Sequence, residues 1–319
     1  MTFLRCAALS LWAAASCALS LAVAAAPAQA QSFRTWVSSA GNDADVCSVV
    51  LPCKTFSGAQ SKTYEGGTIN CLDAGSYGFI TIDQGLTIDC TASFGGILQS
   101  GTNGIVINAP GKKVRLRGLE LNGGVLGNPG FRGVRIQSAS SVTIDDVFIH
   151  SHGGPGIEIS PASGTVAVFI NDSVLADNGN GAAAGIQVVP TGTALVRLSM
   201  DGVRILGTTG NALRLDSTGT AGLGILTIIE NSTFSNSSGA GISAVAGSAS
   251  TPFNVTLLNN SNLSNNGGAG ISTSGAAARV RVKNTALSLN GTGINPGSGF
   301  INDLGGNANL GNSVDGAFN

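Results

Sequence analysis

One four-residue pattern returns along most of this chain and constrains its fold more than any other feature. It runs glycine, apolar, any, apolar: Gly104-Ile105-Val106-Ile107, Gly133-Val134-Arg135-Ile136, Gly156-Ile157-Glu158-Ile159 and Gly185-Ile186-Gln187-Val188. Ala212-Leu213-Arg214-Leu215 and Gly241-Ile242-Ser243-Ala244 continue it, and it weakens through Gly270-Ile271 and Gly293-Ile294. Successive first residues lie 29, 23, 29, 27, 29, 29 and 23 positions apart. Recurrence at this spacing, with loops of variable length, is the mark of a solenoid.

A second pattern sits between the tetrads: Val142-Thr143-Ile144-Asp145-Asp146, Val168-Phe169-Ile170-Asn171-Asp172, Ile228-Ile229-Glu230-Asn231, Leu257-Leu258-Asn259-Asn260 and Val280-Arg281-Val282-Lys283-Asn284. An apolar residue follows three positions on (Ile149, Leu175, Phe234, Leu263, Leu287), and Asn178, Asn236, Asn266 and Asn290 then close the coil. Alternation with period two sends one set of side chains inward and the other outward. A single coil cannot bury its own apolar face; stacked coils form continuous ladders of Ile, Val and Leu. The sequence predicts one domain of roughly nine to ten coils over residues 68–312. Residues 31–67 are expected to form an N-terminal segment, with a short helix within 53–62 carrying Phe56 and Ala59 on one face to cap the open end. Residues 313–319 are read as a tail, and the Gly/Asn-rich run from Asp303 as a frayed last coil.

Of 319 residues 47 are Gly, with no G-X-Y period, which suits short strands joined by tight turns. A net charge of −1 gives no electrostatic footprint for nucleic acid. Arg5, the Ala/Leu-rich stretch 7–26 and Ala28-Gln29-Ala30 read as a signal peptide over residues 1–30, leaving Gln31 at the mature N-terminus. No other segment is long and apolar enough to span a bilayer. The expected location is secreted, periplasmic or at the cell surface. Cys47, Cys53, Cys71 and Cys90 then remain, and export favours disulfides. Proximity favours Cys47–Cys53 across Pro52, and matching strand segments favour Cys71–Cys90; otherwise Cys71 and Cys90 are small buried thiols. No cysteine or histidine spacing suits zinc.

The repeat resembles that of right-handed parallel β-helix proteins of the pectate-lyase-like superfamily. Arg34-Thr35-Trp36-Val37-Ser38, Gly41-Asn42-Asp43 and Pro52-Cys53-Lys54-Thr55-Phe56 resemble the N-terminal segment of exported bacterial members. The resemblance implies an all-β, single-stranded right-handed parallel β-helix. For activity it implies little, since that superfamily includes lyases, hydrolases, epimerases and proteins with no assigned chemistry.

Two sets of residues carry candidate chemistry. Asp145, Asp146, His150 and Glu158 could supply acid and base for sugar hydrolysis, and the order loosely resembles the acid pair and histidine of polygalacturonase-type hydrolases. Their Arg-Ile-Lys element has no counterpart here. Arg135 beside Asp146, Glu158 and Asp172 resembles the arginine base and carboxylate-bound Ca²⁺ of uronate lyases. Lys112, Lys113, Arg115, Arg117 and Arg132 could bind substrate carboxylates. The repeat offers another reading, in which Asp145 and Asp146 fill bends occupied elsewhere by Asn259 and Asn260, His150 and His152 are exposed bend residues, and Arg135–Glu158 is a surface pair. Trp36, Tyr64 and Tyr77, the only Trp and Tyr after residue 30, all lie near the N-terminal end. The leading expectation is a non-catalytic scaffold facing a glycan, with an acidic polysaccharide as partner. A polysaccharide lyase or glycoside hydrolase is the alternative, and an adhesion or self-assembly module a further one.

Overall fold

The computed structural model describes residues 31–124, 127–181, 183–247 and 253–319. The expected signal peptide therefore lies outside the described residues. Ser32–Asn319 forms one compact unit made of three parallel sheets. Sheet 1 has eleven strands, from Ser32–Val37 to Phe300–Asp303; sheets 2 and 3 have nine each. Each coil from Leu86 to Asn295 visits sheet 1, then a three-residue strand of sheet 2, then sheet 3, and returns to sheet 1 of the next coil through a loop of variable length. This is a right-handed β-helix, the hand that parallel crossovers take.

The tetrads form sheet 3. Ile80, Ile105, Val134, Ile157, Ile186, Leu213, Ile242, Ile271 and Ile294 lie in unbroken register. All are essentially solvent-free and belong to a single core. The leading glycine has a steric cause. A Cβ on Gly241 would come 2.8 Å from the Gly270 carbonyl oxygen and 3.1 Å from Leu263 Cδ2, and Gly133 and Gly270 are equally confined.

Two turns per coil explain the Asn and Asp. Between sheets 1 and 2 the backbone turns left-handed at Asp146, Asp172, Asn231, Asn260 and Asn284, with Gly118 and Gly202 filling the same place. Asn, Asp and Gly are the residues that take this conformation at least cost. Between sheets 2 and 3, Asn178, Asn266 and Asn290 are buried at one column position, with Thr208 and Ser237 filling it in the two coils between Asn178 and Asn266; Asn266 and Asn290 stack directly as a ladder. Each asparagine accepts, on Oδ1, the backbone N–H of the preceding coil: His152 to Asn178, Ser237 to Asn266, and Asn266 to Asn290, all at 3.1 Å. Their Nδ2 groups donate to the carbonyls of Ile149, Phe234 and Leu263. Asn236, expected in this ladder, is instead an exposed left-handed turn residue bonded to Asn265, and Ser237 takes the buried place.

At the N-terminal end, helix Phe56–Gln60 buries Phe56 and Ala59 against the first strands. Thr55 caps it by accepting from the Gly58 N–H, and Asp43 accepts from the Lys54 and Thr55 N–H groups. Ser32–Val37 is itself the first strand of sheet 1, paired with Thr63–Cys71. Disulfides join Cys47 to Cys53 and Cys71 to Cys90, the latter on adjacent coils. The far end is not frayed as the composition suggested. Asn312 extends the ladder, Phe318 packs on the core, and the Asn319 N–H and Oδ1 pair with Ile301. Among the described residues no helix is long and apolar enough to cross a membrane.

Candidate functional site

The outer face of sheet 3 presents the middle residue of each tetrad, so Arg135, Glu158, Gln187 and Arg214 stand in one register column. Glu158 is buried between two guanidinium groups: Arg132 Nε lies 2.7 Å from Oε2 and Arg135 Nε 2.9 Å from Oε1. Ser160 Oγ also donates to Oε1 at 3.3 Å. Both oxygens of this carboxylate are thus engaged by cations and turned away from solvent. Beside it opens a shallow hollow of about 330 Å³, walled by Phe131, Arg132, Glu158, Asn180 and Gln187. Its side-chain amides and guanidinium group are suited to hydroxyl and carboxylate ligands.

Asp145 belongs to sheet 1. Its Oδ2 accepts from Arg115 Nε and Nη2 at 2.9 and 2.6 Å, and Oδ1 accepts from Asn171 Nδ2 at 2.7 Å. Arg117 pairs with Asp89 at 2.9 Å; burial pushes that carboxyl up, but bonds from Thr91 and the Arg117 charge outweigh it and hold it below the usual range. Lys112 pairs with Glu65, while Lys113 is exposed with no ion-pair partner among the described residues. Asp146 and Asp172 are the left-handed turn residues. His150 projects from sheet 2, its ring stacked on Phe148 with centroids 4.4 Å apart and Nε2 3.0 Å from Glu120 Oε1.

The structure thus brings Arg132, Arg135 and Glu158 together on sheet 3. It sets Asp145 on sheet 1, Asp146 and Asp172 in the turn from sheet 1 to sheet 2, and His150 on sheet 2. Among the described residues no three His, Cys, Asp or Glu side chains approach closely enough to share a metal ion. Asp146, Asp172 and Glu158 do not fit a Ca²⁺ cage, which needs six or more converging oxygens. Asn180 and Gln187 were not singled out in the sequence; reading the third tetrad residues as one column would have found Gln187.

His152 is not an exposed bend residue: it is buried at the column position that Asn178 takes in the next coil. Its Nδ1 lies 2.9 Å from Asn178 Oδ1, and Nε2 has no partner. Burial lowers its pKa from 6.5 to about 4; the Asn178 bond opposes this and nearby His150 adds to it. Tyr77 is fully buried with its hydroxyl on Asp73, so it offers no stacking surface.

No family model matches the sequence, and no curated protein matches it. Among solved structures, the crystal structure of pectate lyase Pel9A superposes with a TM-score of 0.53 at 13% identity, covering 86% of this chain and 68% of that one. A mutant of the periplasmic alginate epimerase AlgG gives a TM-score of 0.32 at 14% identity, over 75% and 66% of the two chains. The chain is a right-handed parallel β-helix, similar in fold to pectate lyase Pel9A.

Proposed function

We propose that this protein is an exported, non-catalytic scaffold that holds an acidic polysaccharide along the outer face of sheet 3. The observation that carries the non-catalytic reading is the placement of Glu158. The one carboxylate of the candidate set on this face is neutralised by Arg132 and Arg135, and the remaining candidates for acid–base work lie on other faces. Asn180, Gln187 and Arg132 supply partners for hydroxyls and carboxylates, and the hollow is open enough for a chain to pass. The disulfides accord with an extracytoplasmic location. Affinity electrophoresis through gels containing polygalacturonate or alginate tests the reading. Retardation at low salt, relieved by added salt and by Arg132→Ala with Gln187→Ala, is expected. Unchanged mobility in both polymers would overturn it.

A lyase is the second reading, favoured by two guanidinium groups, of Arg132 and Arg135, meeting on Glu158 beside the hollow. On that reading Arg135→Ala abolishes release of unsaturated product.

A further inference from the structure

Sheet 1 carries a second surface of opposite character. Strands Gly224–Glu230 and Phe253–Asn259 keep the alternation of the sheet, with Ile225, Ile229 and Leu258 in the core, but carry aliphatic side chains on both faces. Thr227 and Thr256 are buried in the core, while Leu226, Ile228, Val255 and Leu257 point outward. Register is set by the left-handed turns at Asn231 and Asn260, so these aliphatic residues cannot be traded inward without a one-residue slip. Phe169, two strands earlier, adds to the strip at 43% exposure, and Ile228 is 48% exposed. The result is a groove of about 790 Å³ over Phe169, Leu226, Ile228, Val255 and Leu257. It runs into a second of about 500 Å³ toward Phe300.

Cations flank the aliphatic part of this strip. Arg197 lies one strand before it, and Arg279 and Arg281 one strand after. The two arginine rows are three strand spacings apart, roughly 14 Å. Arg115, Arg117, Arg132, Arg135 and Arg214 each have a carboxylate partner. Arg197, Arg279 and Arg281 have none among the described residues, and Arg279 rests over the Phe300 ring at 5.3 Å.

We infer that this groove binds a free single-chain aliphatic acid, its chain on the Leu/Ile/Val strip and its acidic head on Arg279 or Arg281. Two alternatives fit less well. A sugar chain would strand its hydroxyls over side chains that offer no hydrogen bonds. A second copy related by a two-fold axis along the strands would set Arg197 against Arg279, and one along the solenoid axis would set Arg281 against itself. An aliphatic anion satisfies both features, apolar lining with a few charged groups that fix orientation.

The test is calorimetric titration with dodecanoate below its micellar concentration. Saturable one-to-one binding is expected. Arg279→Ala with Arg281→Ala should weaken it about tenfold, Ile228→Asp with Leu257→Asp should abolish it, and Arg115→Ala should leave it unchanged. All five side chains point outward, and circular dichroism confirms that each variant is folded. Absence of binding, or binding indifferent to both double variants, overturns the inference. So does displacement of dodecanoate by polygalacturonate, which would place a glycan in the groove. Binding to phosphatidylglycerol vesicles without binding to free dodecanoate would overturn it in favour of a membrane surface.

Discussion

Acidification should loosen this solenoid at one identifiable ring. His152 is 2% exposed and donates through Nδ1 to Asn178, leaving Nε2 without a partner. Its pKa falls from 6.5 to about 4 on folding, chiefly through burial. A base with a depressed folded pKa binds fewer protons folded than unfolded between those two values. Stability is therefore fully present above pH 6.5, declines as pH falls through the window, and is lost below about pH 4. At 1.36 kcal/mol per pH unit the full loss is about 3 kcal/mol, of which about 2.5 has appeared by roughly pH 4.5. The perturbation is His152→Asn, which puts into this position the residue that stands at 178, 266 and 290 of the ladder. Urea unfolding at about pH 7.5 and about pH 4.5 measures the difference. The wild type should lose about 2.5 kcal/mol between the two conditions, and His152→Asn less than about 1. An equal loss in both proteins would refute the assignment of acid sensitivity to this ring.

Other substitutions probe the remaining supports. Asn266→Ala strips partners from the Ser237 N–H and the Phe234 carbonyl and should cost about 2–4 kcal/mol in thermal or urea unfolding, against about 1 for the exposed Asn265→Ala. Gly241→Val drives a side chain into the Gly270 carbonyl and should destabilise by about 3 kcal/mol or more, read as a lowered urea midpoint. Cys71 and Cys90 are 19 positions apart, so Cys71→Ser with Cys90→Ser should lose about 3 kcal/mol, and non-reducing peptide mapping should recover both cystine pairs.

The core was legible because it is periodic. Ile105, Val134 and Ile157 repeat at coil spacing, and only stacking gives such a column a dry interior. The left-handed turns were legible as Asn and Asp, whose reason is backbone geometry. Asn236 and Asn178 looked equivalent in sequence because the exposed turn residue and the buried ladder residue are adjacent in each coil, and counting does not separate them. The sheet 1 strip was hidden for a different reason. An apolar run such as Leu226-Thr227-Ile228-Ile229 fits either register, and the turn at Asn231, not hydrophobicity, decides which face is buried. The candidate site was half legible. The pairing of Arg135 with Glu158 follows from tetrad register, whereas the separation of His150 and Asp145 from them depends on which of three sheets each strand joins. Linear proximity carries no information about that.

The central claim is that Arg135, Asp145 and Glu158, proposed for catalysis, are occupied in pairs between adjacent coils. Its most direct test is prolonged incubation of the purified protein with polygalacturonate and with alginate, with and without Ca²⁺, following ultraviolet absorbance of unsaturated uronate and reducing ends. The account predicts no product above the buffer control in any condition. Product formed by the wild type and lost in Arg135→Ala or Glu158→Gln would contradict it.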